Sequence, residues 1–149
     1  MKPIDIEELK KVISESSKET RIMIGCDSQK GRKKYRGTFQ YVRVVIIHID
    51  GKHGCQVYGE SVRQRDFGNL KQRMLNEVYM ATDLAYNLME AIGDRHLEIH
   101  VDINTSPNHK SNVAMKEAVG FVKGMLGIDP ILKPKSIAAS CCADHYCKG

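Results

Sequence analysis

Apolar positions recur along this chain with two different periods. Ile6, Leu9, Val12 and Ile13 lie three and four apart, the spacing of one helical face. Asp5, followed by Glu8 three residues on, gives that helix a capping-box start, predicting an element over 4–14. The spacing then tightens to alternation in Ile22-Met23-Ile24-Gly25-Cys26-Asp27-Ser28-Gln29, and again in Leu97-Glu98-Ile99-His100-Val101-Asp102-Ile103-Asn104. That is the period of a strand. Runs rich in Val, Ile, Tyr and Phe predict two more strands over 38–50 and 55–62, with Asp50-Gly51 as the hairpin turn between them. A long helix is predicted over 68–92, with Leu70, Met74, Val78, Ala81, Ala85 and Leu88 on one face and Gly93 as its stop.

After the fourth strand, Ser111 or Asn112 can cap a helix running to about Leu126, with Gly127 after it. Gly120 and Gly124 within it are small enough to let it approach a sheet closely. A short fifth strand follows over 131–133, ended by Pro134, and Ser136 caps a last helix to about Tyr146. The order predicts an α/β fold: a mixed five-stranded sheet flanked by helices, with an extra short N-terminal helix. The first three strands form an antiparallel meander, and strands one and four lie adjacent and parallel. At 149 residues, without repeat, linker or low-complexity tract, a single domain over 1–149 is expected.

Four acidic residues interrupt the apolar pattern. Asp27 and Asp102 end two buried-looking strands, Asp27 followed by Ser28 and Gln29 and Asp102 by Ile103 and the amide of Asn104. Glu77 falls inside the apolar stripe of the long helix, seven residues from both Leu70 and Leu84, whereas Asp83 and Glu90 fall outside it. Asp144 shares a face with Ile137 and Cys141 on the last helix. A buried carboxylate is costly unless something cationic meets it. Singly, each has an ordinary alternative: an Asp that starts a turn, or a Glu half-exposed at the edge of its stripe. Together they suggest carboxylates facing one cation.

Composition narrows the setting. No apolar run approaches the roughly 20 residues of a membrane span, and the N-terminus lacks the apolar core of a signal peptide. Five scattered cysteines form no disulfide framework, so a reducing, cytoplasmic location is expected. The tail cysteines lack a Cys-x-x-Cys pair and are expected to behave as small buried hydrophobes rather than as zinc ligands. The net charge of +5 permits a polyanionic partner without requiring one. Lys30, Arg32, Lys33, Lys34 and Arg36 crowd the glycine-bounded turn after the first strand, within reach of Asp27. They are candidates either for binding substrate phosphates or for guarding a sheet edge.

The element order with these four acidic positions resembles the ribonuclease H-like superfamily. Within it the chain resembles the bacterial YkuK-type family in Ile24-Gly25-Cys26-Asp27-Ser28-Gln29, Val101-Asp102-Ile103-Asn104, Lys133-Pro134 and Ala138-Ala139-Ser140 to Ala143-Asp144. The resemblance implies a two-metal site in which Asp27 bridges both ions and Glu77, Asp102 and Asp144 complete the ligand set. It implies a metal-dependent nuclease acting on RNA, DNA or a hybrid. Mg²⁺ or Mn²⁺ is the expected cofactor, because hard divalent ions prefer oxygen ligands. Two such ions about 3.5–4 Å apart can activate water for in-line attack on phosphorus. The alternative is a non-catalytic nucleic-acid- or protein-binding module on the same fold. His109 and His145 are candidates for proton transfer, and Gln29 and Asn104 for orienting water or a ligand.

Overall fold

The computed structural model describes residues 1–49, 54–66, 68–104 and 114–133. The elements are β1 (Lys2–Pro3), α1 (Ile6–Glu15), β2 (Arg21–Lys30), a 3₁₀ turn (Lys33–Tyr35), β3 (Thr38–His48) and β4 (Cys55–Arg65). α2 (Leu70–Ile92), β5 (His96–Asn104), α3 (Met115–Leu126) and β6 (Ile131–Lys133) follow. One sheet joins the strands in the order β1-β4-β3-β2-β5-β6. β2, β3 and β4 form the antiparallel meander, and β5 lies parallel to β2 on its other side. All five expected strands are present. The sixth, β1, pairs in parallel with β4 through Lys2↔Tyr58 and Pro3↔Gly59.

The strand alternation divides the sheet into two faces. Ile22, Ile24, Val45, Ile47 and Ile99 pack in one cluster with Leu84, Leu88 and Ile92 of α2, all of them essentially inaccessible to water. Burying one such side chain contributes about 1.5–3 kcal/mol, so α2 is fixed by its apolar stripe rather than by helix propensity. Leu70, at the N-terminal end of that stripe, is exposed. Val42, Val44 and Ile46, the alternate residues of β3, form a second cluster with Met23 and Val57.

α1 and α3 both pack against α2. The Asp5 carboxylate caps α1 by accepting from the Glu7 and Glu8 amides, and Leu9 and Ile13 of α1 are fully buried. Tyr79 of α2 meets Phe121 of α3 edge-on, with ring centroids 4.6 Å apart, and Lys71 of α2 pairs with Glu117 of α3. A Cβ built at Gly120 or Gly124 of α3 meets nothing within 4 Å among the described residues.

Asn69 caps the start of α2 by accepting from the Gln72 amide, and Gly93 ends it at φ 55°, a conformation that favours glycine. Beyond it, the Arg95 guanidinium donates to the carbonyls of Ser14, Ser16 and Ser17 and to those of Ala91 and Ile92. One cation thus satisfies carbonyls at the C-terminal ends of both α1 and α2. The Asp50-Gly51 turn, the helix start at Ser111 or Asn112, Pro134 and the C-terminal helix lie outside the described residues. So do Asp144, His109, His145 and the tail cysteines.

Candidate metal centre

The β2–β5 ladder brings two of the predicted carboxylates together. It pairs Ile24↔Ile99 and ends at Gly25↔His100. Asp27 and Asp102 each stand two residues further on, so alternation sends both to the same face from neighbouring strands. Beyond this point β5 also shifts register against β6, between His100 and Asn104. Glu77 approaches from α2, and one carboxylate oxygen from each of Asp27, Glu77 and Asp102 lies within 4.8 Å of the others.

Glu77 is the least exposed of the three at 4%, with Asp27 at 9%. A half-exposed position for Glu77 is thereby ruled out. Neither of its carboxylate oxygens has a hydrogen-bond partner among the described residues. The buried Ser28 hydroxyl stands beside it, outside hydrogen-bonding geometry. Burial first, and then the neighbouring Asp27 charge, push the Glu77 pKa well above the usual carboxylate range, while the Arg73 guanidinium opposes the shift. A buried polar atom left unsatisfied costs about 1–3 kcal/mol, and more when charged. Among the described residues, the Glu77 carboxylate therefore lacks compensation by a hydrogen bond. An oxygen-only donor set with excess negative charge fits a hard divalent cation, and Asp27, Glu77 and Asp102 are the described residues that would hold it.

Beside the carboxylates runs a groove of about 900 Å³, with Ser28 and Gln29 at its near end and Lys30, Arg32, Lys33 and Arg36 along it. Of the expected substrate cations, Lys30, Arg32, Lys33 and Arg36 line this groove. The Lys34 ammonium instead lies 5.2 Å from the Tyr35 ring centroid, and Arg63 stacks on the same ring at 3.9 Å. The turn that carries them is tightly built. The Gly31 amide donates to the Thr38 carbonyl at 2.9 Å, and Lys33 adopts φ 54°. A side chain at Gly31 would collide with the Tyr35 carbonyl and meet Thr38 Oγ1 at 2.7 Å.

Arg73 also lines the groove, from the α2 side, and the sequence pattern did not single it out. Its guanidinium carbon lies 4.8 Å from the Phe39 ring centroid, and its Nε is buried without a partner among the described residues. The available signal was its position, one helical turn before Glu77.

Away from this centre, Glu98 bridges two histidines of β5. Its carboxylate oxygens lie 2.6 Å from His96 Nε2 and 2.8 Å from His100 Nε2. Burial pushes the Glu98 pKa up, but the hydrogen bonds and charges of the two histidines outweigh it, and the net shift is downward.

A family model described as Ribonuclease H-like matches residues 5–148, nearly the whole chain. No curated protein and no solved structure matches it. The family and the acidic cluster together support a nucleic-acid-related, nuclease-like function. Among the described residues no helix is long and apolar enough to cross a membrane.

Proposed function

We propose that this chain, which belongs to the ribonuclease H-like family, is a metal-dependent nuclease that hydrolyses phosphodiester bonds of nucleic acid, acting as a single domain over residues 1–149. The observation that carries this reading is the convergence of Asp27, Glu77 and Asp102 beside a cationic groove, with the buried Glu77 carboxylate lacking a hydrogen-bond partner among the described residues. Asp27, Glu77 and Asp102 would hold Mg²⁺ or Mn²⁺, with Asp144 as the fourth ligand of the set. Bound there, such ions supply charge neutralisation, an activated water and stabilisation of the leaving oxygen.

The chain's own residues do the rest. Burial of Glu77 and Asp27 removes competing water from the carboxylates, which strengthens their hold on a cation. Lys30, Arg32 and Lys33 face the groove and neutralise the backbone of the bound strand without reading its sequence. A cytoplasmic setting fits the scattered cysteines, of which Cys26 is buried and Cys55 exposed.

The test is a panel of single-stranded, duplex and hybrid RNA and DNA substrates incubated with Mg²⁺, with Mn²⁺ and with EDTA. The Asp27→Asn protein runs beside the wild type. Cleavage should require the divalent ion and vanish in Asp27→Asn while the variant keeps its circular dichroism spectrum. Undiminished cleavage by Asp27→Asn would refute the assignment of the site. Binding without cleavage on every substrate would leave the fold as a non-catalytic nucleic-acid module.

A further inference from the structure

Arg73 occupies the boundary between the carboxylates and the basic groove. It stands four residues before Glu77 on α2, about 6 Å along the helix axis, a distance comparable to the step between successive phosphates of a strand. It forms no salt bridge with a described residue, Glu77 included. Arg73 also lines a narrow crevice together with Tyr41, Arg65, Asp66, Asn69, Gln72 and Asn76. Asp66, the carboxylate in that crevice, accepts from the Gly68 amide at 2.6 Å. The guanidinium lies over the Phe39 ring, and the buried Nε leaves the two terminal nitrogens as the donors for a ligand.

A planar, oriented and always-charged fork is matched to a phosphate diester, to which it can donate two parallel hydrogen bonds. We propose that Arg73 binds the substrate-strand phosphate next to the carboxylate site, and so sets which phosphodiester reaches Asp27, Glu77 and Asp102. The strand then runs from Arg73 along the Lys30–Arg36 turn. The inference rests on the groove's binding nucleic acid, not on its cutting it. Arg73 is a positioning residue: its competing role is to serve only as a distant counter-charge for Glu77.

Fluorescence anisotropy with fluorescein-labelled single-stranded RNA, single-stranded DNA and duplex probes separates the two roles. The measurement is made in EDTA over a KCl series, so cleavage plays no part. Arg73→Gln, which keeps a side chain over Phe39, should lower affinity about tenfold or more and reduce the slope of log affinity against log salt by about 1. Arg73→Lys should keep most of the slope, because the charge remains, but lose several-fold in affinity for want of the stacked fork. Thermal melts of both variants guard against unfolding, and if Arg73→Gln fails to fold, Arg73→Lys decides. Unchanged affinity and slope in Arg73→Gln would overturn the proposal, as would Arg73→Lys binding like wild type, or failure of the wild type to bind any probe. A wild type that binds but never cleaves with Mg²⁺ or Mn²⁺ refutes the nuclease reading alone.

Discussion

Replacing Glu77 by Gln should stabilise this protein without metal and cripple its response to metal. In the metal-free fold the Glu77 carboxyl is buried, without a hydrogen-bond partner among the described residues, and faced by Asp27. Its folded pKa lies well above the value it has in the unfolded chain. Its contribution to stability is therefore fully present below the unfolded pKa and is lost as pH rises through the folded one. At neutral pH the unfolded chain gains from ionising Glu77 more than the folded chain does.

The Gln side chain has nearly the same shape, carries no charge, and brings an amide that can donate toward Asp27 or Ser28. Removing an unsatisfied buried group of this kind should raise metal-free stability by about 1–3 kcal/mol. For a chain of this length each kcal/mol moves the melting temperature by about 2–4 °C. Mg²⁺ or Mn²⁺ acts in the opposite sense. At a hundred times its dissociation constant a ligand that binds only the folded state adds about 2.7 kcal/mol, and the Gln variant should forfeit most of that. Thermal melts by circular dichroism in EDTA and in excess Mn²⁺, from acid to neutral pH, compare the two proteins directly. The variant should melt higher in EDTA at neutral pH, show a flatter pH profile, and gain far less than wild type from Mn²⁺. A variant that is less stable than wild type in EDTA, or gains as much from Mn²⁺, would refute the reasoning.

Arg95→Ala leaves helix-end carbonyls of α1 and α2 without their shared donor. It should cost about 2–3 kcal/mol in urea unfolding with the metal response intact. Gly31→Ala cannot keep the turn geometry beside the Tyr35 carbonyl, so nucleic-acid affinity should fall several-fold in anisotropy while the melting temperature moves only a few degrees. Arg32→Ala, Lys33→Ala and Lys34→Ala combined should flatten the salt dependence of binding, by about 0.9 for each phosphate no longer neutralised, and leave the melting temperature nearly unchanged. Because Lys34 faces Tyr35 rather than the groove, Lys34→Ala alone should do little.

Much of the site was legible because burial makes charge conspicuous. A Glu inside a regular apolar stripe has few explanations, and Glu77 is buried among Met74, Leu75, Val78 and Ala81. Asp27 and Asp102 were legible because period-two alternation fixes which residues share a face. β1 was not: two residues carry no period, and Lys2 and Pro3 join the sheet only because β4 offers them an edge. The end of β4 extends past the expected Val62 to Arg65, since Arg63, Gln64 and Arg65 pair with β3 while remaining exposed, and an exposed ladder leaves no apolar mark. Arg73 escaped for a related reason: its place is defined by a groove between α2 and the β2–β3 turn, and a groove between elements has no signature in either one.

The pairing of β2 with β5 also has a consequence in time. These strands are separated in sequence by β3, β4 and the whole of α2, so their pairing closes a long loop, whose entropy must be overcome before the ladder stabilises anything. The meander and α2 can collapse first, with Asp27 and Glu77 still apart from Asp102. The mutual repulsion of the three carboxylates is then met only as the last strands dock. An ion that binds the finished cluster stabilises the native state and not the barrier to reaching it. Divalent metal should therefore slow unfolding and leave the refolding rate almost as it was, so the centre would also act as a lock on the finished fold.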